Sequence, residues 1–215
     1  MSTKIATVPN VTPPSDRHAR RREATRRKLI EATKTLIGRQ GVDNVRIQEI
    51  TDEADVGFGS FYNHFPSKEA IVEAVLAETI GAQGAEIDAL TSGLDDPAEI
   101  ISVAHRSFVR RAKSDPEWGW LLLRLDVSHN VLLAALGPYA QRDLRKGIKS
   151  GRFQVPNELI ALHDSGGGLL SVMRAVLDGT APKHADIHHA EGVLRLLGLT
   201  PDDAAEVARR PLPTA

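Results

Sequence analysis

The sequence contains no cysteine, and aromatic residues fill only 4% of its 215 positions. The lack of thiols excludes disulfides, thiolate metal ligands and cysteine nucleophiles, so packing or association must stabilise the fold. No apolar run approaches the roughly 18 residues of a membrane-spanning helix, and the N-terminus has no apolar segment of the kind found in signal peptides. We therefore expect a soluble, cytoplasmic protein.

The net charge is only −1, but basic and acidic residues are distributed unevenly along the chain. Residues 1–68 carry 12 Lys and Arg against 8 Asp and Glu, whereas residues 69–215 carry 15 against 20. The basic residues are concentrated in the segment 17–28. Composition alone favours a solvated helix face for this segment. A basic N-terminal region also favours a nucleic-acid partner, because cationic side chains release counterions condensed on phosphates.

The apolar residues, 41% of the chain, follow helical spacing. No stretch between turn signals alternates apolar and polar residues over the length of a strand, so we predict an all-α fold with about nine or ten helices. Residues 1–19, rich in proline and basic side chains, are predicted to be a disordered arm. The pattern then indicates a helical module at 20–68, a larger helical domain at 69–200 and a C-terminal tail at 201–215. Within the larger domain, helices are expected at about 97–113, 116–147, 156–178 and 183–197.

Four of the few aromatic residues fall within eight positions, in the segment FGSFYNHF at 58–65. Their spacing of i, i+3, i+4 and i+7 places them on one face of an α-helix. This helix has only about two turns, because glycines open it and Pro66 ends it. We assign Phe61 and Phe65 to the core. So short a helix has little room for polar aromatic side chains, which predicts that Tyr62 and His64 contact something outside the chain.

A second short helix is predicted just before this segment, at about 45–54. Two short helices joined by a turn of three or four residues form a helix-turn-helix unit. Its corner needs a left-handed backbone residue, and Asp55 is of a type that tolerates a positive φ angle. Ser67 is placed to cap the next helix, and Glu69 follows in its first turn, where negative charge is favourable.

Residues 24–71 resemble the DNA-binding domain of the tetracycline-repressor (TetR) family of bacterial transcriptional regulators. The resemblance rests on a long first helix, on the segment QGVDNVRIQEI and on the segment ADVGFGSFYNHFPSKEAI. This chain departs from the family pattern at Arg46, Thr51, Asp55, Gly57 and Phe58. The last two departures matter most, because they lie at the tip of the expected recognition helix.

The resemblance implies that the second helix of the unit enters the major groove, where its first residues meet base edges. Gly59 then lets the backbone approach a phosphate, while Ser60, Tyr62 and His64 donate hydrogen bonds to phosphates or bases. Phe58 either contacts a thymine methyl group or turns back into the protein. Further contacts are expected from Gln48, from Lys68 and from Arg20, Arg21 and Arg22, unless those three arginines form a solvated helix start.

The family also implies a homodimer in which two helices of each subunit form a four-helix bundle. Here these helices are 156–178 and 183–197, and the expected interface residues are Leu162, Gly167, Leu170 and Met173. The three glycines at 166–168 each reduce helix propensity by roughly 1 kcal/mol relative to alanine. They indicate either the close approach of another helix or a helix break beside a loop.

A regulator of this kind needs a second site, whose ligand binds the DNA-competent and DNA-incompetent states unequally. The family places it among the C-terminal helices, in an apolar cavity with a few polar groups. The residues expected to line it are His105, Phe108, Trp118, Leu122, Leu125 and His129. We expect an apolar inducer, whose identity the sequence does not select.

Enzyme motifs are weak in this chain. His184, His188 and His189 have a spacing that can hold a metal, but no further ligand pattern accompanies them, which favours a solvated helix face. The three consecutive residues at 163–165, His-Asp-Ser, do not converge from separate positions as a catalytic triad does. We therefore predict no catalytic residues, metal or cofactor. The expected function is a ligand-responsive repressor that binds a near-palindromic operator as a homodimer, and the alternative is a helical protein-interaction or ligand-sequestering module.

Overall fold

The computed structural model describes residues 16–129 and 131–213, with side chains described for 17–125 and 137–213. These residues form ten helices and contain no strand, as the sequence predicts. The helices are α1 (Asp16–Gln40), α2 (Ile47–Glu53), α3 (Phe58–Tyr62), α4 (Lys68–Thr91), α5 (Pro97–Ser114), α6 (Pro116–His129), α7 (Val131–Lys149), α8 (Glu158–Leu177), α9 (Ala185–Leu196) and α10 (Pro201–Arg209). No helix within the described residues is long and apolar enough to cross a membrane.

Helices α1 to α3 and the start of α4 form a small head around one apolar cluster. Leu29, Ile30 and Ile37 of α1 face Ile50 of α2 and Phe61 of α3, and all five are fully buried. The corner between α2 and α3 is made by Asp55 with φ of 52°, which confirms its expected left-handed conformation. The head is therefore a helix-turn-helix unit whose short helices are held by burial of one apolar face each.

The larger domain is arranged around α5, which packs against α6, α7, α8, α9 and α10. Asp96 caps its N-terminus by accepting a hydrogen bond from the amide of Ala98 at 3.0 Å, and Pro97 follows at the first helical position, where it costs no hydrogen bond. Buried residues occur all around this helix, including Ile101, Phe108 and Ala112. Helix α5 is thus the centre of the domain.

Two helices connect the head to the larger domain. Leu121 and Leu125 of α6 belong to the apolar cluster of the head, whereas Trp118 and Leu122 of the same helix lie in a cluster of the larger domain. Helix α4 begins in the head and continues past Gly84, which is buried against the ring of Tyr139 on α7. Helices α4 and α6 can therefore transmit a displacement of the larger domain to the head.

The structure differs from the sequence-based expectation at several boundaries. Helix α1 begins at Asp16, so residues 16–19 belong to a helix and not to a disordered arm, and the three arginines at 20–22 lie within that helix; residues 1–15 lie outside the described residues. The segment expected as one helix at 116–147 comprises α6 and α7, which lie on either side of residue 130, and residue 130 is outside the described residues. Helix α8 runs unbroken through the glycines at 166–168, which excludes a helix break there.

The expected C-terminal tail contains a further helix, α10. Thr200 caps it by accepting a hydrogen bond from the amide of Asp203 at 3.4 Å, and Pro201 follows at its first position. Its buried face, Ala204, Val207 and Ala208, packs against α9 and α5. The sequence signal for this helix is the run Thr-Pro-Asp-Asp, which is typical of a helix start.

Candidate DNA-reading face and ligand cavity

The aromatic residues of α3 and of the turn that follows it form two sets, one buried and one exposed. Phe61 and Phe65 are 0% and 4% exposed and lie in the core of the head, which confirms the sequence prediction. Phe58 and Tyr62 are 47% and 52% exposed, and their rings meet edge to face with centroids 5.8 Å apart; the Tyr62 ring also meets the Phe61 ring edge to face, with centroids 5.4 Å apart. Phe58 therefore does not turn back into the protein.

The glycines that open α3 leave its N-terminal end bare. Gly57 and Gly59 are both exposed, and a Cβ atom added to either would meet nothing within 4 Å. Packing within this chain therefore requires neither glycine. Their lack of side chains leaves the backbone accessible beside Phe58, which suits the close approach of a phosphate.

The C-terminal end of α3 lies against the basic part of α1. A guanidinium nitrogen of Arg22 donates to the carbonyl oxygen of Asn63 at 3.5 Å, next to the half-buried His64. Burial lowers the pKa of His64 from 6.5, and the positive charges of Arg22 and Arg26 lower it further. His64 is therefore neutral at pH 7, when its ring has one hydrogen-bond donor and one acceptor.

Two other expected DNA contacts already have partners within the chain. Nζ of Lys68 donates to the carbonyl oxygen of Asp43 at 3.2 Å, and Nε2 of Gln48 donates to a carboxylate oxygen of Asp52 at 2.8 Å. The Gln48 side chain is exposed and that of Lys68 is half-buried at the edge of the same face. Either side chain must exchange its present bond to contact DNA. Ser60 is half-buried on α3.

A cavity of about 230 Å³ lies between α4, α5, α7 and α8 in the larger domain. Its apolar wall includes Ile87, Ile101, Phe108, Leu162, Leu169 and Leu170. Its polar lining includes Asp88, His105, Tyr139, Asp143, His163 and Ser165. Gly166 and Gly167 also line it, and a Cβ atom at either would meet nothing within 4 Å. The glycines of α8 thus keep part of this wall free of side chains.

The polar groups of the cavity form two sets. In the first set, Nδ1 of His105 and Nε2 of His189 are 2.9 Å apart, and His189 belongs to α9. Burial lowers the pKa of His105 to about 3, helped by the charge of His189, and burial alone lowers the pKa of His189 to about 4. Both rings are neutral at pH 7. His189 therefore does not belong to a solvated helix face, as its spacing suggested.

The second set is an acidic pair neutralised in part by one arginine. Arg142 donates to Asp88 at 2.9 Å and to Asp143 at 2.8 Å, which joins α4 to α7 beside the cavity. These hydrogen bonds, with that to Asp143 the stronger, raise the pKa of Arg142 above its usual value. The guanidinium side chain is 53% exposed and is not part of the lining.

Only some of the residues expected to bind ligand line the cavity. His105 and Phe108 line the cavity. The ring of Trp118 packs behind Phe108 with centroids 5.8 Å apart, and Leu122 lies in the same buried cluster. Leu125 lies in the core of the head, and the side chain of His129 lies outside the described residues. Sequence reasoning missed Asp88 and His189, because each is distant in sequence from the residue that it meets. It also missed Asp143, because no local pattern shows that this part of α7 faces the cavity.

The residues expected at the dimer interface are also divided. Leu162 and Met173 are 8% and 0% exposed and pack into clusters of their own chain, so they are not available to a partner. Leu170 and Gly167 both line the cavity; Leu170 is half-buried and Gly167 is exposed. The exposed large apolar residues of α8 and α9 are instead Leu159, Ile160 and Leu196, at 58%, 56% and 42%.

No group of three or more His, Cys, Asp or Glu side chains suited to a metal ion occurs among the described residues. The fold and the two sites define a class: an all-helical regulator with an exposed reading helix in its head and a ligand-sized cavity in its larger domain. A family model described as "Tetracyclin repressor-like, C-terminal domain" matches residues 96–210, and one described as "Bacterial regulatory proteins, tetR family" matches residues 29–75. The chain belongs to the TetR family of bacterial transcriptional regulators.

Solved structures agree with this assignment. RolR (NCGL1110), solved with resorcinol, is 37% identical, covers 91% of this chain and 98% of its own, and superposes with a TM-score of 0.72. FadR from Bacillus subtilis in complex with stearoyl-CoA is 20% identical, covers 81% and 99%, and has a TM-score of 0.65, which shows the shared fold.

Curated relatives match over shorter regions. The HTH-type transcriptional repressor KstR2 of Rhodococcus jostii (strain RHA1) is 28% identical over 99 residues, or 46% of this chain and 48% of that protein. The repressor DhaR of Mycobacterium sp. (strain GP1) is 42% identical over 57 residues, or 26% and 29%. The chain thus matches about half of the length of the first of these relatives and less of the other.

Proposed function

We propose that this protein is a transcriptional repressor that binds a near-palindromic operator as a homodimer and leaves it when a small molecule occupies the cavity. The observation that carries the proposal is the face of α3, where Phe58 and Tyr62 are exposed on a helix anchored by buried Phe61 and Phe65. The phenyl of Phe58 and the phenol of Tyr62 remain exposed beside two bare glycines, although the Tyr62 ring also packs on buried Phe61. They suit insertion into a major groove.

The DNA contacts in this proposal follow the exposed surface of the head. Tyr62 and the neutral His64 donate to phosphates or base edges, and Gly59 admits the phosphate backbone. Arg22 lies beside the end of α3 and adds a cation there. Lys68 and Gln48, with Ser60, complete the face from α4, α2 and α3. Phosphate contacts position the head, and base contacts choose the sequence.

Dimerisation is proposed to use the outer faces of α8 and α9. Leu159, Ile160 and Leu196 are exposed apolar side chains. Burying them against a second copy removes their apolar surface from water, which favours the dimer. Gly167 is exposed on α8, and its missing side chain permits a close helix contact. Two heads related by a two-fold axis read two half-sites about one helical turn apart or more.

The inducer is proposed to be a small, mainly apolar molecule. The cavity of about 230 Å³ is larger than the roughly 150 Å³ cavities known to admit benzene, so it accommodates one substituted ring but no long chain. RolR, the relative with 37% identity, is solved with resorcinol, a molecule of this size. This similarity supports an aromatic inducer for this chain.

Coupling between the two sites is proposed to run through α4 and α6. Phe108 forms part of the cavity wall and contacts Trp118 at the start of α6, and the same helix enters the core of the head at Leu121 and Leu125. Ile87 of α4 lines the cavity directly. An inducer that fits only one arrangement of these helices shifts the spacing of the heads and lowers operator affinity.

The proposal is tested by selecting bound sequences from a pool of random DNA duplexes. A repressor of this kind enriches a symmetric site, whereas a protein-interaction module enriches none. On the selected site, Tyr62→Phe and Lys68→Ala are expected to weaken binding, and Lys68→Ala also reduces the salt slope by about one unit because one phosphate contact is lost.

The matched control is Lys149→Ala, which removes an exposed lysine at the end of α7, outside the head. This variant retains wild-type affinity and salt slope. Wild-type binding by both head variants would show that the reading face is assigned incorrectly. If the selection enriches no symmetric site, the proposed function itself is contradicted.

A further inference from the structure

The His105–His189 pair restricts the chemistry of the ligand. The two rings come from α5 and α9 and share one hydrogen bond, with N···N at 2.9 Å and ring centroids 5.0 Å apart. His105 lines the cavity, and no other hydrogen-bond partner of either ring occurs within the described part of the chain. One of the two facing nitrogens must carry the proton that they share.

Proton counting shows what the pair offers to a ligand. Burial keeps both rings neutral, with pKa values of about 3 and about 4, so each ring has one N–H. When Nδ1 of His105 donates to His189, Nε2 of His105 is an acceptor. When Nε2 of His189 donates instead, Nε2 of His105 is a donor. Exchange of both tautomers therefore changes the outward nitrogen of His105 from acceptor to donor without any net charge.

The remaining polar groups oppose a negatively charged ligand. Asp88 and Asp143 line the same cavity, and their one described cation, Arg142, is hydrogen-bonded to both and lies outside the lining. Among the described residues that line the cavity, none is a lysine or an arginine. A carboxylate ligand would lose its hydration and meet acidic groups without a free cation, which is unfavourable. An ammonium ligand would also lose its hydration, and the two carboxylates that it would meet already accept hydrogen bonds from Arg142.

We infer that the His105–His189 pair selects an uncharged ligand with one ring and a hydroxyl group, which hydrogen-bonds to His105 while His189 sets the tautomer of that histidine. A hydroxyl group donates or accepts, so it matches either state of the pair. His105 contacts the ligand, and His189 is a positioning residue. This inference rests on the proposed role of the cavity as the inducer site.

The inference is tested by calorimetric titration of the full-length protein with four probes that share one ring. The probes are phenol, toluene, benzoate and benzylamine. Phenol is expected to bind about 10-fold or more tightly than toluene, because toluene leaves a polar nitrogen of the wall without a partner. Benzoate and benzylamine bind more weakly than phenol. Tighter binding of toluene, benzoate or benzylamine than of phenol would overturn the inference.

Variants separate ligand recognition from a purely structural role. His105→Phe should bring the phenol-to-toluene affinity ratio close to one while toluene still binds, and His105→Gln should restore part of the preference. His188→Phe, an exposed neighbour of His189 on α9, is the matched control and keeps the wild-type ratio. An unchanged ratio in His105→Phe would refute the role of the pair.

Nitrogen NMR of the wild-type protein gives a measurement that does not depend on a folded variant. Phenol is expected to shift the imidazole ¹⁵N resonances of His105 through its new hydrogen bond, and those of His189 because the two rings share one hydrogen bond. Toluene should leave the tautomers unchanged. Identical spectra with and without saturating phenol, or no phenol binding in the millimolar range, would overturn this ligand class. The proposed function fails separately, if no small molecule of any class releases the operator.

Discussion

The half-buried His105–His189 pair makes the stability of the fold depend on pH. Burial lowers the pKa of His105 from 6.5 to about 3 and that of His189 from 6.5 to about 4. Below pH 6.5 the unfolded chain therefore binds protons that the folded chain does not. Proton binding favours the state that binds more protons, so this contribution to stability is complete above pH 6.5 and falls as the pH decreases toward 4.

The magnitude follows from the pKa values. Each pH unit below 6.5 costs about 1.4 kcal/mol per histidine until the folded-state pKa is reached. At pH 5.0 both rings are still neutral in the folded protein, so each costs about 2 kcal/mol and the pair about 4 kcal/mol. A loss of this size is a large fraction of the free energy of unfolding of an ordinary domain.

The assay is denaturant unfolding at pH 7.5 and pH 5.0, at one fixed protein concentration because dimer stability depends on concentration. The double variant His105→Gln, His189→Gln removes both titrating groups and keeps hydrogen-bonding side chains. The other ionisable side chains on the cavity wall, Asp88, Asp143 and His163, are the same in both proteins. The wild type should lose about 4 kcal/mol more than the variant over this interval.

The control is His188→Gln, which removes an exposed histidine from the same helix and should leave the pH dependence of the wild type unchanged. Equal pH dependence of the wild type and the double variant would refute the reasoning. It would mean that the two rings are hydrated in the folded protein, or that one of them is protonated there.

Three further predictions concern packing, DNA reading and assembly. Gly147→Ala should lower the melting temperature, because the new Cβ atom would lie 1.9 Å from the buried ring of Phe153; overpacking of this kind costs about 1–3 kcal/mol. Replacing contacted thymines of the selected operator by uracil should weaken wild-type binding but not that of Phe58→Ala, since only the methyl group is removed. Leu159→Asp combined with Ile160→Asp should yield monomers in sedimentation experiments, because charges replace exposed apolar side chains on α8.

Each of these has a simple control. Gly81→Ala, on an exposed part of α4 with nothing within 4 Å of the new atom, should raise the melting temperature slightly. Tyr62→Phe should keep the preference for thymine over uracil while losing overall affinity. A dimer that survives the double Asp substitution would exclude the outer face of α8 from the interface. Equal melting temperatures of Gly147→Ala and the wild type would show that Phe153 has room to move.

The sequence by itself determined the features that depend on near neighbours along the chain. Helical spacing predicted the all-α fold, and the compact aromatic segment predicted that Phe61 and Phe65 are buried while Tyr62 is exposed. Local chemistry also predicted the left-handed conformation of Asp55 and the cap at Ser67, whose hydroxyl accepts from the amide of Ala70 at 3.3 Å. These properties follow from periodicity, steric limits and hydrogen bonds over a few residues, which the sequence contains directly.

Only the tertiary structure decided which distant residues share a site. His105 and His189 are 84 positions apart, and Asp88 and Arg142 are 54 apart, so no local pattern could pair them. Leu125 satisfied the same helical spacing as a cavity residue but lies in the core of the head, and Met173 satisfied the spacing of an interface residue but is buried in its own chain. Spacing along a helix shows which side chains share a face. The packing of the helices against one another determines whether that face meets the core, a cavity or solvent.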